Sequence, residues 1–136
     1  MTHPRVFAIV CFAVLGGLLN IFVVTGLSAA GSPPSLRLTR ITPSGEDVPP
    51  GRQIVFQFDR PVAPIGVMAR TASEVPVTIT PPLQCQWRWL NSQVLACQLD
   101  EKSALTPATR YQIVVNPGIK ALDGSELEGP VRHTFT

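Results

Sequence analysis

Residues 85–97 read Cys85-Gln-Trp-Arg-Trp-Leu-Asn-Ser-Gln-Val-Leu-Ala-Cys97. Two runs of alternating residues meet at Leu90-Asn91-Ser92, and a cysteine lies at the outer end of each run. Strict alternation over four to eight residues indicates a β-strand that buries one face. Two such runs joined by a short polar junction predict a β-hairpin.

The cysteines and tryptophans share one face of this hairpin. Side chains alternate faces along a strand, so Cys85, Trp87 and Trp89 point the same way. Pairing about the junction sets Trp87 opposite Leu95 and Cys85 opposite Cys97, which predicts a disulfide. Such a bond persists only in an oxidising compartment. Two reduced, buried thiols are the alternative reading.

The N-terminal segment predicts export. Residues 1–5 are short and basic, residues 6–27 are almost entirely apolar, and Ser28-Ala29-Ala30 supplies the small residues that a signal peptidase reads. We therefore expect a helical signal peptide over residues 1–30 that is cleaved after Ala30, and a periplasmic protein. The apolar run also reaches the ~20 residues that span a bilayer. An uncleaved inner-membrane anchor through residues 6–27, facing the periplasm, is the alternative.

Cysteine counting agrees with export. Of the three cysteines, Cys11 lies inside the export segment, so Cys85 and Cys97 remain as one pair. A lipid on Cys11 is disfavoured because Val10 stands where a lipoprotein signal needs a small residue.

Size and charge limit what the exported part can be. Removing residues 1–30 from the 136 leaves 106, which is enough for one domain with a single core. The remaining side chains are ten basic and nine acidic, with no block of like charge. Neither a nucleic-acid partner nor a charged membrane surface is expected.

From residue 36 onward, short alternating runs are separated by proline and glycine, and no run has helical spacing. This pattern predicts an all-β antiparallel sandwich. Residues 31–39 form a linker and the start of the first strand, and the domain covers residues 40–136. The seven predicted strands are Leu36–Thr42, Gln53–Phe58, Val75–Thr80, Cys85–Leu90, Gln93–Leu99, Tyr111–Val115 and Val131–Phe135.

Two connections are longer than a turn, residues 61–74 and 99–110, and each is expected to cross between sheets. In the second, the Tyr111 hydroxyl is expected to bond back to the backbone, as in a tyrosine corner.

Local motifs for catalysis or metal binding are lacking. The exported part has one histidine, His133, inside a predicted strand, with no nucleophile motif beside it. The two cysteines and this histidine do not match zinc spacing, and the acidic pairs lack a calcium-loop pattern. We expect no enzyme, no metal and no cofactor. An enzymatic role for His133 ranks last among the readings.

Trp87 and Trp89 are the one pair of residues for which the sequence also allows a ligand-binding role. Two indoles on one strand face could stack on sugar rings, as in a carbohydrate- or peptidoglycan-binding module. The preferred reading places them inside the sandwich, packed around the disulfide.

Five stretches carry a family resemblance. They are Thr42-Pro-Ser-Gly-Glu46, Ile54-Val-Phe-Gln-Phe-Asp-Arg-Pro-Val62, Cys85-Gln-Trp-Arg-Trp-Leu90, Ala104-Leu-Thr-Pro-Ala-Thr-Arg-Tyr111 and Pro117-Gly-Ile-Lys-Ala-Leu-Asp-Gly124. With them, residues 40–136 resemble an N-terminal immunoglobulin-like domain of the bacterial alpha-2-macroglobulin family. The resemblance implies an Ig-like sandwich in an envelope protease inhibitor. It also implies other macroglobulin domains or envelope proteins as partners, and proteases as targets.

The sequence departs from that family in ways that bear on function. A bait region is lacking, and the residues after Cys85 and Cys97 do not match the Cys-Leu-Glu-Gln thioester motif of many members. The sequence stops directly after its last predicted strand. We therefore expect a truncated or stand-alone scaffold domain without trapping activity of its own.

Overall fold

The computed structural model of this chain describes residues 34–64, 66 and 68–136. The predicted signal or anchor helix lies outside these residues. The described strands are β1 (Leu38–Thr42), β2 (Gln53–Phe58), β3 (Ala69–Arg70), β4 (Val77–Thr80), β5 (Gln86–Asn91), β6 (Val94–Gln98), β7 (Tyr111–Val115) and β8 (Val131–Phe135). A single 3-10 turn over Ala72–Glu74 is the helical element of this part of the chain.

The strands form two antiparallel sheets. One sheet has the order β1-β2-β6-β5-β3 and the other has the order β4-β7-β8. All seven predicted strands are present, which confirms the all-β prediction for the described residues. Strand β3 was not predicted, because Ala69–Arg70 is too short to show alternation. The connection over residues 99–110 leads from one sheet to the other, as expected.

The two inner faces build one hydrophobic core. Ile54, Phe56 and Phe58 alternate along β2 with Val55 and Gln57 and are at most 2% exposed. Strand β7 does the same with three buried residues on one face. The remaining core side chains come from both sheets and from the loops, and include Leu36, Ile41, Val75, Leu95, Leu99, Leu105, Ala121, Leu127 and Phe135.

The hairpin of β5 and β6 forms with a register that differs from the prediction. Trp87 lies opposite Cys97, and Trp89 lies opposite Leu95. The predicted pairs, Trp87 with Leu95 and Cys85 with Cys97, are wrong by two residues. The reason is the turn, because Ser92 and Gln93 close it and the register shifts between Trp89 and Asn91. The Gln93 N–H donates to the Asn91 side-chain oxygen at 2.8 Å, which is an Asx turn.

After β1 the chain leaves the first sheet and joins the second. Pro43 has no N–H to continue the ladder. Gly45 then forms a parallel bridge with Phe135 at the end of β8. The Thr136 N–H donates to the Gly45 carbonyl at 3.1 Å, and the Val48 N–H donates to the Thr136 carbonyl at 2.9 Å. Residues 43–48, here called the crossover segment, thus cover one end of the β8 edge.

The predicted tyrosine corner is present. The Thr106 N–H donates to the Tyr111 hydroxyl oxygen at 3.0 Å. The Tyr111 ring is stacked on Phe135 with a centroid distance of 5.2 Å. This contact fixes the connection over residues 99–110 against the second sheet.

Candidate interaction site

Trp87 and Trp89 lie inside the sandwich. Trp87 is 7% exposed and Trp89 is 6% exposed. Their rings contact the side chains of β2 across β6, Trp87 at 5.7 Å from Phe56 and Trp89 at 5.8 Å from Phe58, measured between centroids. Sugar stacking needs an open ring face. These two indoles therefore do not form the platform that a carbohydrate-binding module would need.

Cys85 and Cys97 form a disulfide. The S–S distance is 2.02 Å and the two Cα atoms are 4.9 Å apart. This Cα separation lies within the range of natural disulfides. Because Trp87 takes the place opposite Cys97, the bond is diagonal and ties the residue before β5 to the penultimate residue of β6. The prediction of the disulfide itself is confirmed.

Only one of the two cysteines in the disulfide has exposed surface. Cys97 has no exposed surface. Cys85 is partly buried and lines a shallow groove with Arg70, Thr71 and Arg88. The two cysteines thus face different environments.

A cleft is lined by parts of β5 and β6 and by the segments over residues 73–76 and 117–120. It has a volume of about 370 Å³, and Trp89, Leu95 and Val75 supply buried apolar side chains at its floor. Arg70, Glu74 and Lys120 line it with both signs of charge. A cleft of this kind can hold an apolar side chain of a partner.

The cleft's acidic residue is held in place locally. The carboxylate of Glu74 accepts the Thr71 N–H at 2.8 Å and the Thr71 hydroxyl at 2.7 Å. These two hydrogen bonds, the backbone one first, lower the pKa of Glu74 below its ordinary value. Glu74 is therefore charged at neutral pH and is structurally occupied, so it is not poised as a general base.

A polar cluster joins two loops at the surface. The Arg60 guanidinium donates to Asp59 at 3.3 Å and to Asp123 at 3.1 Å. Asp59 also accepts the Arg37 N–H at 3.0 Å, and Asp123 accepts the hydroxyl and N–H of Ser125. We call Asp59, Arg60 and Asp123 the loop cluster.

Hydrogen bonding sets the acidity of this cluster. The Arg37 N–H, and then Arg60, lower the pKa of Asp59. The Ser125 hydroxyl and N–H, and then Arg60, lower the pKa of Asp123. Both carboxylates are therefore charged at neutral pH, and they raise the pKa of Arg60. The cluster is a structural ion-pair network.

His133 is likewise occupied by structure. Its Nε2 lies 2.8 Å from the carbonyl oxygen of Pro43 and donates to it. The ring thereby ties the crossover segment to β8. Within residues 34–136 as described, no three His, Cys, Asp or Glu side chains come together as a metal site. The same residues contain no helix with the length and apolar character to cross a bilayer.

Sequence reasoning did not find the cleft or the loop cluster. Asp59 lies in a bend directly after β2, and Asp123 lies in a turn. Arg60 and Asp123 are 63 positions apart, and no local pattern reports their pairing. Glu74 carried a usable signal, because a Thr three residues before a Glu is a capping-box pattern.

Comparison with known proteins agrees with this architecture. Residues 30–136 match the family described as bacterial Ig-like domain. No curated protein matches the chain. The match extends over the whole described sandwich and all eight strands. The chain therefore belongs to the bacterial Ig-like domain family.

Proposed function

We propose that this chain is a non-catalytic structural and interaction module that works in the periplasm. The Cys85–Cys97 disulfide is the observation that carries the proposal. Disulfides of this kind form and persist outside the reducing cytosol. The apolar N-terminal run and the small residues before Gly31 support the same location. Membership of the bacterial Ig-like family supports the structural role.

The arrangement of polar groups also favours an interaction role over an enzymatic one. In the part of the chain that the structure describes, the groups whose pKa departs from its ordinary value are Asp59, Arg60, Glu74 and Asp123. Each is engaged in a local hydrogen bond or ion pair that holds a loop. Perturbed groups mark catalytic sites when they lie free in a cleft, whereas these hold loops in place.

Intact mass of the protein recovered from the cell envelope tests this proposal. We expect a chain that begins at Gly31 and reveals two thiols only after reduction and alkylation. Retention of residues 1–30 would favour the membrane anchor over a free periplasmic domain. Recovery from the cytosol with two free thiols would overturn the export proposal.

As a finer proposal, the parent context is the bacterial alpha-2-macroglobulin family of envelope protease inhibitors. The five stretches that resemble its N-terminal domain support this, with the Cys-Gln-Trp-Arg-Trp hairpin as the most distinctive. The chain itself is proposed to be scaffold, because neither cysteine is followed by the thioester motif and both are used in the disulfide.

Two measurements test the finer proposal. The purified chain should leave several unrelated proteases fully active on a large substrate, and protection of the substrate would contradict the scaffold role. Photo-crosslinking from the exposed Leu122 in the envelope should capture a neighbour that carries a bait region or a thioester. Repeated capture of unrelated neighbours would contradict the macroglobulin context while leaving the module proposal intact.

A further inference from the structure

The two sulfurs of the disulfide differ in accessibility. Cys97 lies in β6, the central strand of the five-stranded sheet, between Ile54 of β2 and Trp87 of β5. It has no exposed surface. Cys85 precedes β5 and is partly exposed in a groove. A reagent in solution therefore meets Cys85 first.

The reason for this opening is the short strand β3. The last residue of β3, Arg70, pairs with Trp87. The hydrogen-bonded ladder between β3 and β5 therefore ends at Trp87, two residues away from Cys85 along the chain. Thr71 and Ala72 then turn away into the 3-10 turn and form one wall of the groove. Strand β3 therefore does not extend beside Cys85.

The two cysteines also differ in the side chains around them. Arg70 and Arg88 line the groove together with Cys85. Cys97, by contrast, belongs to the apolar core cluster. An external reagent therefore reaches Cys85 without entering the core.

We propose that Cys85 is the site at which external thiol–disulfide reagents react with the folded domain, and that Cys97 is the resolving thiol. In oxidation, the Cys85 thiolate attacks an external disulfide, an S–S bond forms at Cys85, and one external thiolate leaves. Cys97 then loses its proton to water or to the external thiolate that has left, and its sulfur attacks the Cys85 sulfur. The second external thiolate leaves, and two electrons have passed from the protein to the external disulfide.

The same geometry governs reduction. An external thiolate that attacks Cys85 expels Cys97 as a thiolate within the core. Attack on Cys97 instead first requires local opening of the sheet. External reagents therefore react at Cys85 in both directions.

The first test uses the oxidised wild-type chain and reduced glutathione. The protein is incubated under native conditions, quenched in acid, unfolded, alkylated and mapped by mass spectrometry. We expect glutathione on Cys85 and the alkyl group on Cys97 in every mixed-disulfide species. Equal or greater amounts of glutathione on Cys97 would overturn the proposal.

The second test compares two single-cysteine variants with oxidised glutathione. Cys97→Ala keeps the exposed thiol, and Cys85→Ser keeps the buried one. With native folding checked by tryptophan emission, we expect Cys85→Ser to react at least about 100-fold more slowly, because its thiol reacts only after opening. In denaturant the two rates should converge. Equal native rates would overturn the proposal, and a variant that fails to fold leaves the wild-type mapping to decide.

Discussion

The β5–β6 hairpin and the loop cluster hold the chain together by different means. The hairpin places Trp87 and Trp89 in the core, where each is less than a tenth exposed. The loop cluster holds its ions near water, with side-chain exposure of 27% for Arg60, 24% for Asp59 and 51% for Asp123. The hairpin removes apolar surface from water, which is the dominant favourable contribution to folding. The cluster exchanges hydrated ions for paired ions, which gains little.

The two regions therefore have different roles, one in the stability of the fold and the other in the position of two loops. We expect the hairpin to contribute much more than the loop cluster to the free energy of unfolding, and the loop cluster to fix where residues 59–61 and 121–125 lie. The Leu122 N–H donates to the Pro61 carbonyl at 2.9 Å, so those loops also share a backbone bond. Substitutions in the two regions should therefore differ by several kcal/mol in their effect on the free energy of unfolding.

The largest effect is expected from Trp87→Ala. The change removes a ring that contacts Phe56 and lies opposite Cys97, and leaves a cavity. A loss of about 3–5 kcal/mol in the free energy of unfolding is expected in urea titrations. Leu122→Ala, at a residue 59% exposed, is the control and should change stability by less than about 0.5 kcal/mol. A loss below about 1 kcal/mol for Trp87→Ala would remove the basis of the contrast.

The next effect is expected from the double variant Cys85→Ser, Cys97→Ala. Without the bond the unfolded chain gains the entropy of an open loop, and we expect a loss of about 3 kcal/mol. Urea titrations of the oxidised wild type, the reduced wild type and the variant measure it. Agreement between the variant and the reduced wild type is the control. Unchanged stability in both would show that the hairpin is held by its side chains alone.

A smaller effect is expected from Tyr111→Phe. The change deletes the hydroxyl that accepts the Thr106 N–H and keeps the ring stacked on Phe135. We expect a loss of about 1 kcal/mol, measured by thermal unfolding and urea titration. Tyr111→Ala should cost several times more, because it also removes the buried ring. Equal losses for the two variants would assign the whole effect to the hydrogen bond.

Arg60→Gln tests how much the loop cluster contributes to stability. We expect a small loss of stability in urea titrations, since pairs near water gain little, and a loss that shrinks in high salt. Arg52→Gln is the matched control, because the Arg52–Glu101 pair is more exposed, at 59% and 81%. We expect a greater loss of stability for Arg60→Gln than for Arg52→Gln. A loss as large as that of Trp87→Ala would mean that the loop cluster, too, is a main source of stability.

The smallest effect is expected on acidification. The folded pKa values of Asp59 and Asp123 lie below the ordinary value of 3.8, so the unfolded chain takes up protons first as pH falls. Their stabilising contribution is therefore complete above that value and is lost as pH falls through the lower folded values. Asp59→Asn should make the decline below pH 4 shallower, measured by urea titration at several pH values. A slope identical to the wild type would contradict the role of Asp59.

The sequence predicted the hairpin region well because its signals are local. Alternation along β2, β5 and β7 sets which side chains face inward, and the structure buries that face. Exact register was not predictable. Alternation fixes faces but not pairing, and a shift of two residues keeps every side chain on its predicted face. The choice of Ser92 and Gln93 for the turn decided the register.

The loop cluster and the crossover segment could not be predicted from local pattern. Arg60 reaches Asp123 and His133 reaches Pro43 over separations of 63 and 90 residues. Such pairs depend on how the two sheets stack, and that follows from packing of the whole core. The groove at Cys85 could not be predicted either, because it exists where β3 ends and a strand of two residues shows no alternation.

The crossover segment also bears on how the domain responds to mechanical load. Gly45 and Phe135 bridge in parallel, and two further backbone bonds join the same segment to Thr136. A stretching force applied at Pro43 and at Thr136 pulls these two parallel segments along each other in opposite directions. The bonds between them are then loaded in shear, whereas a hairpin pulled from its open end unzips one bond at a time. Separating the crossover segment from β8 along the strand direction is therefore expected to need more force than opening a hairpin that has the same number of bonds.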